Sequence, residues 1–62
     1  MNKVKELRKA KDITQLKMSA DLEITSDYLS MIERGVRNPG FHLSKKIADY
    51  LCSTVDEVFF EN

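Results

Sequence analysis

The apolar residues of this chain recur every three or four positions, and this spacing predicts helices rather than strands. Each predicted helix is short, and the connections between helices are tight. The predicted helices cover about residues 2–11, 15–22, 26–34, 41–51 and 55–60. The pattern therefore indicates an all-α fold, a compact five-helix domain that takes in residues 1–62.

Polar residues with capping side chains mark where four of these helices begin. Asn2 is suited to cap the first, and Thr14 and Thr25 precede the second and third. Thr54, with Glu57 three residues later, forms a capping box that predicts the start of the last helix. The apolar residues expected to line the core are Val4, Leu7, Met18, Leu22, Leu29, Ile32, Phe41, Leu43, Ile47, Ala48, Leu51, Val58 and Phe59.

The second and third helices are separated only by residues 23–25, and the segment that follows them is a loop. Both glycines and the single proline fall within residues 35–40. On a helical wheel, Leu29 and Ile32 define the buried side of the third helix. Polar side chains and one methionine lie opposite or beside it: Ser26, Asp27, Tyr28, Ser30, Met31 and Arg34. A two-helix unit of this kind, over about residues 15–34, has the geometry to enter the major groove of DNA.

A set of short motifs covers most of the chain at characteristic spacings. The motifs are Thr14-Gln15, Met18, Leu22, Ile24-Thr25, Tyr28-Leu29-Ser30, Ile32-Glu33-Arg34-Gly35, Arg37-Asn38-Pro39 and residues 55–59. In this combination the sequence resembles the lambda-repressor/Cro-like helix-turn-helix family, the xenobiotic-response-element class of bacterial and phage transcriptional regulators. The resemblance extends over residues 3–60.

The resemblance implies a function and a partner for the chain. It implies a sequence-specific transcriptional regulator of double-stranded DNA, expected to be a repressor, with the third helix in the major groove. A homodimer on a palindromic operator is expected, because one small domain makes too few base contacts to be specific. Tyr50 and Phe60 are the candidate interface residues.

The same resemblance implies roles for individual residues. Gln15 is expected to bind a phosphate and to brace the reading helix, and Arg8 to form a structural ion pair with Glu33. Tyr28 is expected to pack on the flank with its hydroxyl available to a phosphate. The residues expected to face base edges are Ser26, Asp27, Ser30 and Met31. Those expected to hold the sugar-phosphate backbone, with the amides around Gly35, are Arg34, Arg37 and Asn38.

Three positions depart from the family pattern. The family often has glycine at the ends of its first, second and fourth helices, where this chain has Asp12, Glu23 and Cys52. If the backbone there is left-handed, Glu23 and Cys52 would each carry strain of about 1 kcal/mol. The alternative is that the helix ends are rearranged.

The composition limits the other functional classes. One Cys allows no internal disulfide, and together with the lack of a signal peptide it predicts a cytoplasmic location. One Cys and one His, ten positions apart, make no metal site, and no cofactor motif or enzyme constellation occurs. No apolar run reaches the roughly 18 residues of a membrane span.

The charge distribution is also compatible with a second function. Residues 1–40 carry eight basic and six acidic side chains, and residues 41–62 carry two and four, so the formal total is zero. Within the first helix, Lys9 and Lys11 are expected to lie nearer to DNA than Lys3 and Lys5. The neutral total and Asp27 also suit a protein-interaction module, such as an antitoxin-like or anti-repressor domain.

Overall fold

The computed structural model describes residues 2–60 and contains five helices in that range. They are α1 (Val4–Ala10), α2 (Gln15–Leu22), α3 (Ser26–Glu33), α4 (Phe41–Tyr50) and α5 (Asp56–Phe60). The all-α prediction is confirmed, and residues 2–60 contain no strand. α1 is shorter than predicted, and α5 is wound as a π-helix. The predicted domain limits, residues 1 and 62, lie outside the described residues.

The core lies where the five helices meet. α1 contributes Val4 and α5 contributes Val58, and neither side chain is exposed to solvent. The buried apolar residues are Val4, Met18, Leu22, Leu29, Ile32, Ile47, Ala48, Leu51 and Val58. The prediction that Phe41 joins them is wrong, because its side chain is 77% exposed. Phe41 is the first residue of α4 and lies about 9 Å along the helix axis from Ile47, beyond the packed layer.

Side-chain caps fix where α2, α3 and α5 begin. Thr14 Oγ1 accepts a hydrogen bond from the Lys17 amide, and Thr25 Oγ1 accepts one from the Tyr28 amide, both at 3.0 Å. Thr54 and Glu57 bond reciprocally at the start of α5, as the capping box predicts. α2 and α3 pack against each other more closely than any other pair of helices.

Three helices end in a left-handed residue that is not glycine. The φ angles are 56° at Asp12, 60° at Glu23 and 57° at Cys52. The next amide in each case bonds back to a carbonyl of the helix; for example, the Ile24 amide donates to the Ser19 carbonyl at 3.0 Å. The helix ends are therefore not rearranged, and the left-handed backbone for which strain is expected occurs at Glu23 and Cys52.

The two ends of the described segment are tied together. The Lys3 amide donates to the Val58 carbonyl at 2.9 Å, which joins the start of α1 to α5. Asn2 Oδ1 accepts from the Val4 amide at 3.1 Å, and Asn2 Nδ2 donates to the Ile32 carbonyl in α3 at 2.8 Å. The prediction that Asn2 is the cap residue of the first helix is wrong, because Lys3 occupies the cap position of α1. None of the helices within residues 2–60 is long and apolar enough to cross a membrane.

Candidate nucleic-acid interface

The outer face of α3 is polar and accessible. Leu29 and Ile32 have no exposure to solvent and fix the inner side of the helix. On the other side, Asp27 and Arg34 are exposed, whereas Ser26, Ser30 and Met31 are partly exposed. Met31 is thus less open than the helical wheel suggested, but its side chain is not part of the buried core. The face is short, about 12 Å for eight residues, and fits within one groove.

A buried ion pair anchors the C-terminal end of α3 to α1. Arg8 Nε donates to Glu33 Oε2 at 2.7 Å, and Arg8 Nη2 donates to Glu33 Oε1 at 3.3 Å. Arg8 Nη1 also donates to the Ile13 carbonyl at 2.8 Å. Both side chains are buried, so removal of either partner would leave an uncompensated charge and cost about 3–5 kcal/mol.

Gln15 extends this pair into a three-residue network. Its Nε2 donates to Glu33 Oε1 at 3.1 Å, which ties the first residue of α2 to the last residue of α3. Gln15 is half-buried, so part of the residue remains accessible to solvent. The network holds the reading helix at a fixed position relative to α1 and α2.

The first three backbone amides of the loop after α3 are bonded within the chain. The Gly35 amide donates to the Ile32 carbonyl at 3.0 Å, and the Val36 and Arg37 amides donate to the Met31 carbonyl at 3.0 and 3.3 Å. Gly35 has a φ of 77°, a conformation that glycine adopts without strain. These three amides, which the resemblance assigned to the DNA backbone, are therefore already bonded at the end of the helix. Arg34, Arg37 and Asn38 are exposed and can still reach a partner.

An open depression of about 400 Å³ lies between α1 and α3. Its lining residues are Lys5, Arg8, Gln15, Ser30, Glu33 and Arg34. Lys5 is in this set, whereas Lys9 and Lys11, which were expected from the sequence to lie nearer to DNA, are not. Helical spacing alone does not distinguish Lys5 here, because Lys11 follows Arg8 by three residues just as Lys5 precedes it by three.

Tyr50 has a partner within the chain. Its hydroxyl donates to Asp21 Oδ2 at 2.6 Å, and Lys17 Nζ donates to Asp21 Oδ1 at 3.2 Å. The Tyr50 hydrogen bond, followed by that of Lys17, lowers the pKa of the Asp21 carboxyl below its ordinary value. The same bond to Asp21 raises the pKa of the Tyr50 hydroxyl. This contact joins α4 to α2 and was not foreseen from the sequence.

The remaining aromatic residues of the predicted site lie at the edges of the domain. Tyr28 is half-buried and packs against the core, as expected for the flank of α3. Phe60 is 71% exposed and lies in a second depression of about 390 Å³. The other lining residues of that depression are Asn2, Gly35, Asn38, Pro39, Ser44 and Phe59.

This arrangement, a capped two-helix unit with a polar outer face on its second helix and basic side chains beside it, defines a helix-turn-helix DNA-binding protein. The chain belongs to the Cro/C1-type helix-turn-helix family, whose helix-turn-helix profile matches residues 4–58. It is similar to control protein C.MunI of a Mycoplasma species, with 39% identity over 59 residues, 94% of this chain and 80% of that protein. The protein is a DNA-binding transcriptional regulator.

Proposed function

We propose that the protein is a repressor that binds a palindromic operator as a homodimer, with α3 of each protomer in the major groove. The observation that carries this proposal is the polar outer face of α3, opposite the fully buried Leu29 and Ile32. Asp27 can accept from a cytosine amino group, and the Met31 thioether can contact a thymine methyl group. The Ser26 and Ser30 hydroxyls can donate hydrogen bonds to base edges or accept hydrogen bonds from them.

The backbone contacts are assigned to side chains around this face. Arg34, Arg37 and Asn38 follow the reading helix and are exposed, so they can reach the sugar-phosphate chain. Asp27 repels phosphates, and the amides of Gly35 and the two residues after it are bonded within the chain. Affinity therefore depends on a few cationic side chains, which supports a modest affinity per protomer and a requirement for two half-sites.

The proposed dimer interface is centred on Phe60. This side chain is 71% exposed and shares a depression with Gly35, Asn38 and Pro39, the residues that follow α3. A two-fold axis at this place would bring the C-terminal ends of the two reading helices together. Tyr50, the other interface candidate, bonds to Asp21 within the chain, so the proposed interface does not depend on it.

A gel-shift titration tests the DNA part of the proposal. The probes are the duplex upstream of the protein's own gene and a scrambled duplex of equal length, each at two salt concentrations. We expect tighter binding to the upstream duplex and weaker binding to both at the higher salt. Equal affinity for the two duplexes would contradict the presence of an operator in the upstream duplex. The proposed repression would then be contradicted as well. A transcription assay on the same duplex should show reduced transcript when the protein is added.

Sedimentation tests the homodimer. We expect the protein to sediment as a dimer and Phe60→Glu to sediment as a monomer, since a carboxylate in an apolar interface is unfavourable. Leu16→Glu is the matched control, because Leu16 is also 71% exposed but lies on α2. A wild-type monomer throughout the micromolar range, or dissociation by Leu16→Glu alone, would contradict the proposed interface.

The second candidate is a protein-interaction module. Four exposed large hydrophobic residues favour it: Leu16, Val36, Phe41 and Phe60. An apolar protein interface would keep its affinity as salt rises, whereas phosphate binding would not. The salt dependence of the gel shift therefore separates the two candidates, although one protein could bind both kinds of partner.

A further inference from the structure

We propose that the depression between α1 and α3 holds one phosphate of the DNA backbone and that Lys5 is a ligand of that phosphate. This inference rests on the proposed docking of α3 in the major groove and adds α1 to the surface that touches DNA. It assigns a role to Lys5, which was expected from the sequence to lie farther from DNA than Lys9 and Lys11.

The shape of the depression is suited to a phosphate. Lys5 and Arg34 are exposed, while Arg8 and Glu33 are buried beneath them. Ser30 and Gln15, both half-buried, complete the lining. Ser30 also belongs to the outer face of α3, and Arg34 follows directly after that helix. A group bound in the depression would therefore lie directly beside the groove that α3 reads.

The charge of the depression favours an anion. It contains three cationic side chains and one carboxylate, and the Glu33 carboxylate is already paired with Arg8 at 2.7 Å. Neither Lys5 nor Arg34 forms an ion pair with an acidic side chain in the segment 2–60. Two positive charges thus face the opening without compensation. At the distances of a direct contact, such charges attract a phosphate strongly even near the surface.

The depression also contains more hydrogen-bond donors than acceptors, which again favours an anion. Gln15 Nε2 has two hydrogens, of which one is donated to Glu33 Oε1 at 3.1 Å. The second hydrogen has no partner among residues 2–60, and Glu33 holds the amide so that it does not rotate away. Together with the Lys5 ammonium and the Arg34 guanidinium, this amide offers the donors that phosphate oxygens require.

The test measures how DNA affinity depends on salt, so it does not require the operator to be known. A labelled random-sequence duplex is titrated by fluorescence anisotropy between about 50 and about 200 mM salt, with wild type, Lys5→Ala, Lys5→Arg and Lys9→Ala. Lys9 is the matched control, since it is an exposed lysine one turn further along α1 and lies outside the depression. Circular dichroism verifies that each variant is folded.

Loss of one phosphate contact should make the plot of log affinity against log salt shallower by about 0.9 for each bound protomer. For Lys5→Ala, the loss of affinity relative to wild type should therefore be about 3.5-fold larger at the low salt than at the high salt, per protomer. Lys5→Arg should keep the wild-type slope, and so should Lys9→Ala.

Each other outcome has a definite meaning. An unchanged slope in Lys5→Ala, or an equal change in Lys9→Ala, would overturn the phosphate site while leaving the proposed function intact. Absence of any salt-dependent binding by the wild type would overturn the proposed function and the phosphate site together.

Discussion

Gln15 and Glu33, the first residue of α2 and the last residue of α3, are joined by a hydrogen bond of 3.1 Å between Nε2 and Oε1. This bond closes the helix-turn-helix unit at the end opposite its turn. Residues 23–25 connect the two helices at one end, and the amide–carboxylate bond connects them at the other. The angle between α2 and α3 is thus fixed at two places.

Gln15→Ala should lower the free energy of unfolding by about 1 kcal/mol. The loss is modest because Arg8 still donates to both oxygens of Glu33, so no buried charge is left unpaired. Urea unfolding measures it. Leu16→Ala is the control, because that side chain is 71% exposed and its truncation should change stability by no more than about 0.5 kcal/mol. Equal effects of the two substitutions would show that the bond contributes nothing.

Glu23→Gly should stabilise the protein. Glu23 has a φ of 60°, and glycine adopts this conformation without the steric cost that a Cβ atom brings. A gain of about 1 kcal/mol corresponds to a rise in Tm of about 4–8 °C for a domain of this size. Thermal unfolding followed by circular dichroism measures the change.

The control for Glu23→Gly is a glycine inside a helix. Ala20 is exposed in α2, and Ala20→Gly should destabilise by about 1 kcal/mol, because glycine is a poor helix former. If both glycine variants lower Tm, the left-handed backbone at Glu23 is not a source of strain.

Local sequence signals predicted most of the fold, and they did so for physical reasons. The helix caps at Thr14 and Thr25 could be predicted from the sequence, because each capping bond joins residues only three positions apart. The apolar spacing likewise placed all nine buried core residues on predicted helices, although Leu51 lies one residue beyond α4 in the structure. These features depend on near neighbours in the chain.

The contacts that could not be predicted join distant residues. Tyr50 and Asp21 are 29 positions apart, and their bond depends on how α4 crosses α2. Asn2 reaches the Ile32 carbonyl across 30 positions. The exposure of Phe41 depends on where the core stops. Periodicity describes one helix at a time and carries no information about these relations.

The Tyr50–Asp21 bond should make stability depend on pH at both extremes. The folded pKa of Asp21 is lowered by this bond, so the contribution is complete above its ordinary value of 3.8 and is lost as pH falls through the folded pKa. The folded pKa of Tyr50 is raised, so the contribution is complete below 10.0 and is lost as pH rises through the folded pKa.

Tyr50→Phe should therefore be less stable than wild type near neutral pH and should approach it at both extremes. Urea unfolding at a series of pH values measures the difference. Asp21→Asn should remove the acid-side dependence of this contact, because no carboxylate remains to be protonated. A stability difference between wild type and Tyr50→Phe that stays constant into acid and into alkali would contradict the assignment.

Arg37 and Met31 should differ in how they affect DNA binding, because the proposed docking places one on the backbone and the other on base edges. Arg37→Ala should weaken binding to all sequences alike and reduce the salt slope by about 1 per protomer. Met31→Ala should instead reduce discrimination at one base pair of each half-site, by about fourfold, the value of one buried methyl-sized contact. The measurement is affinity for a set of duplexes with each base pair of the upstream site replaced in turn. If Arg37→Ala altered base preference, or if Met31→Ala weakened every duplex equally, α3 could not lie in the groove in the proposed orientation.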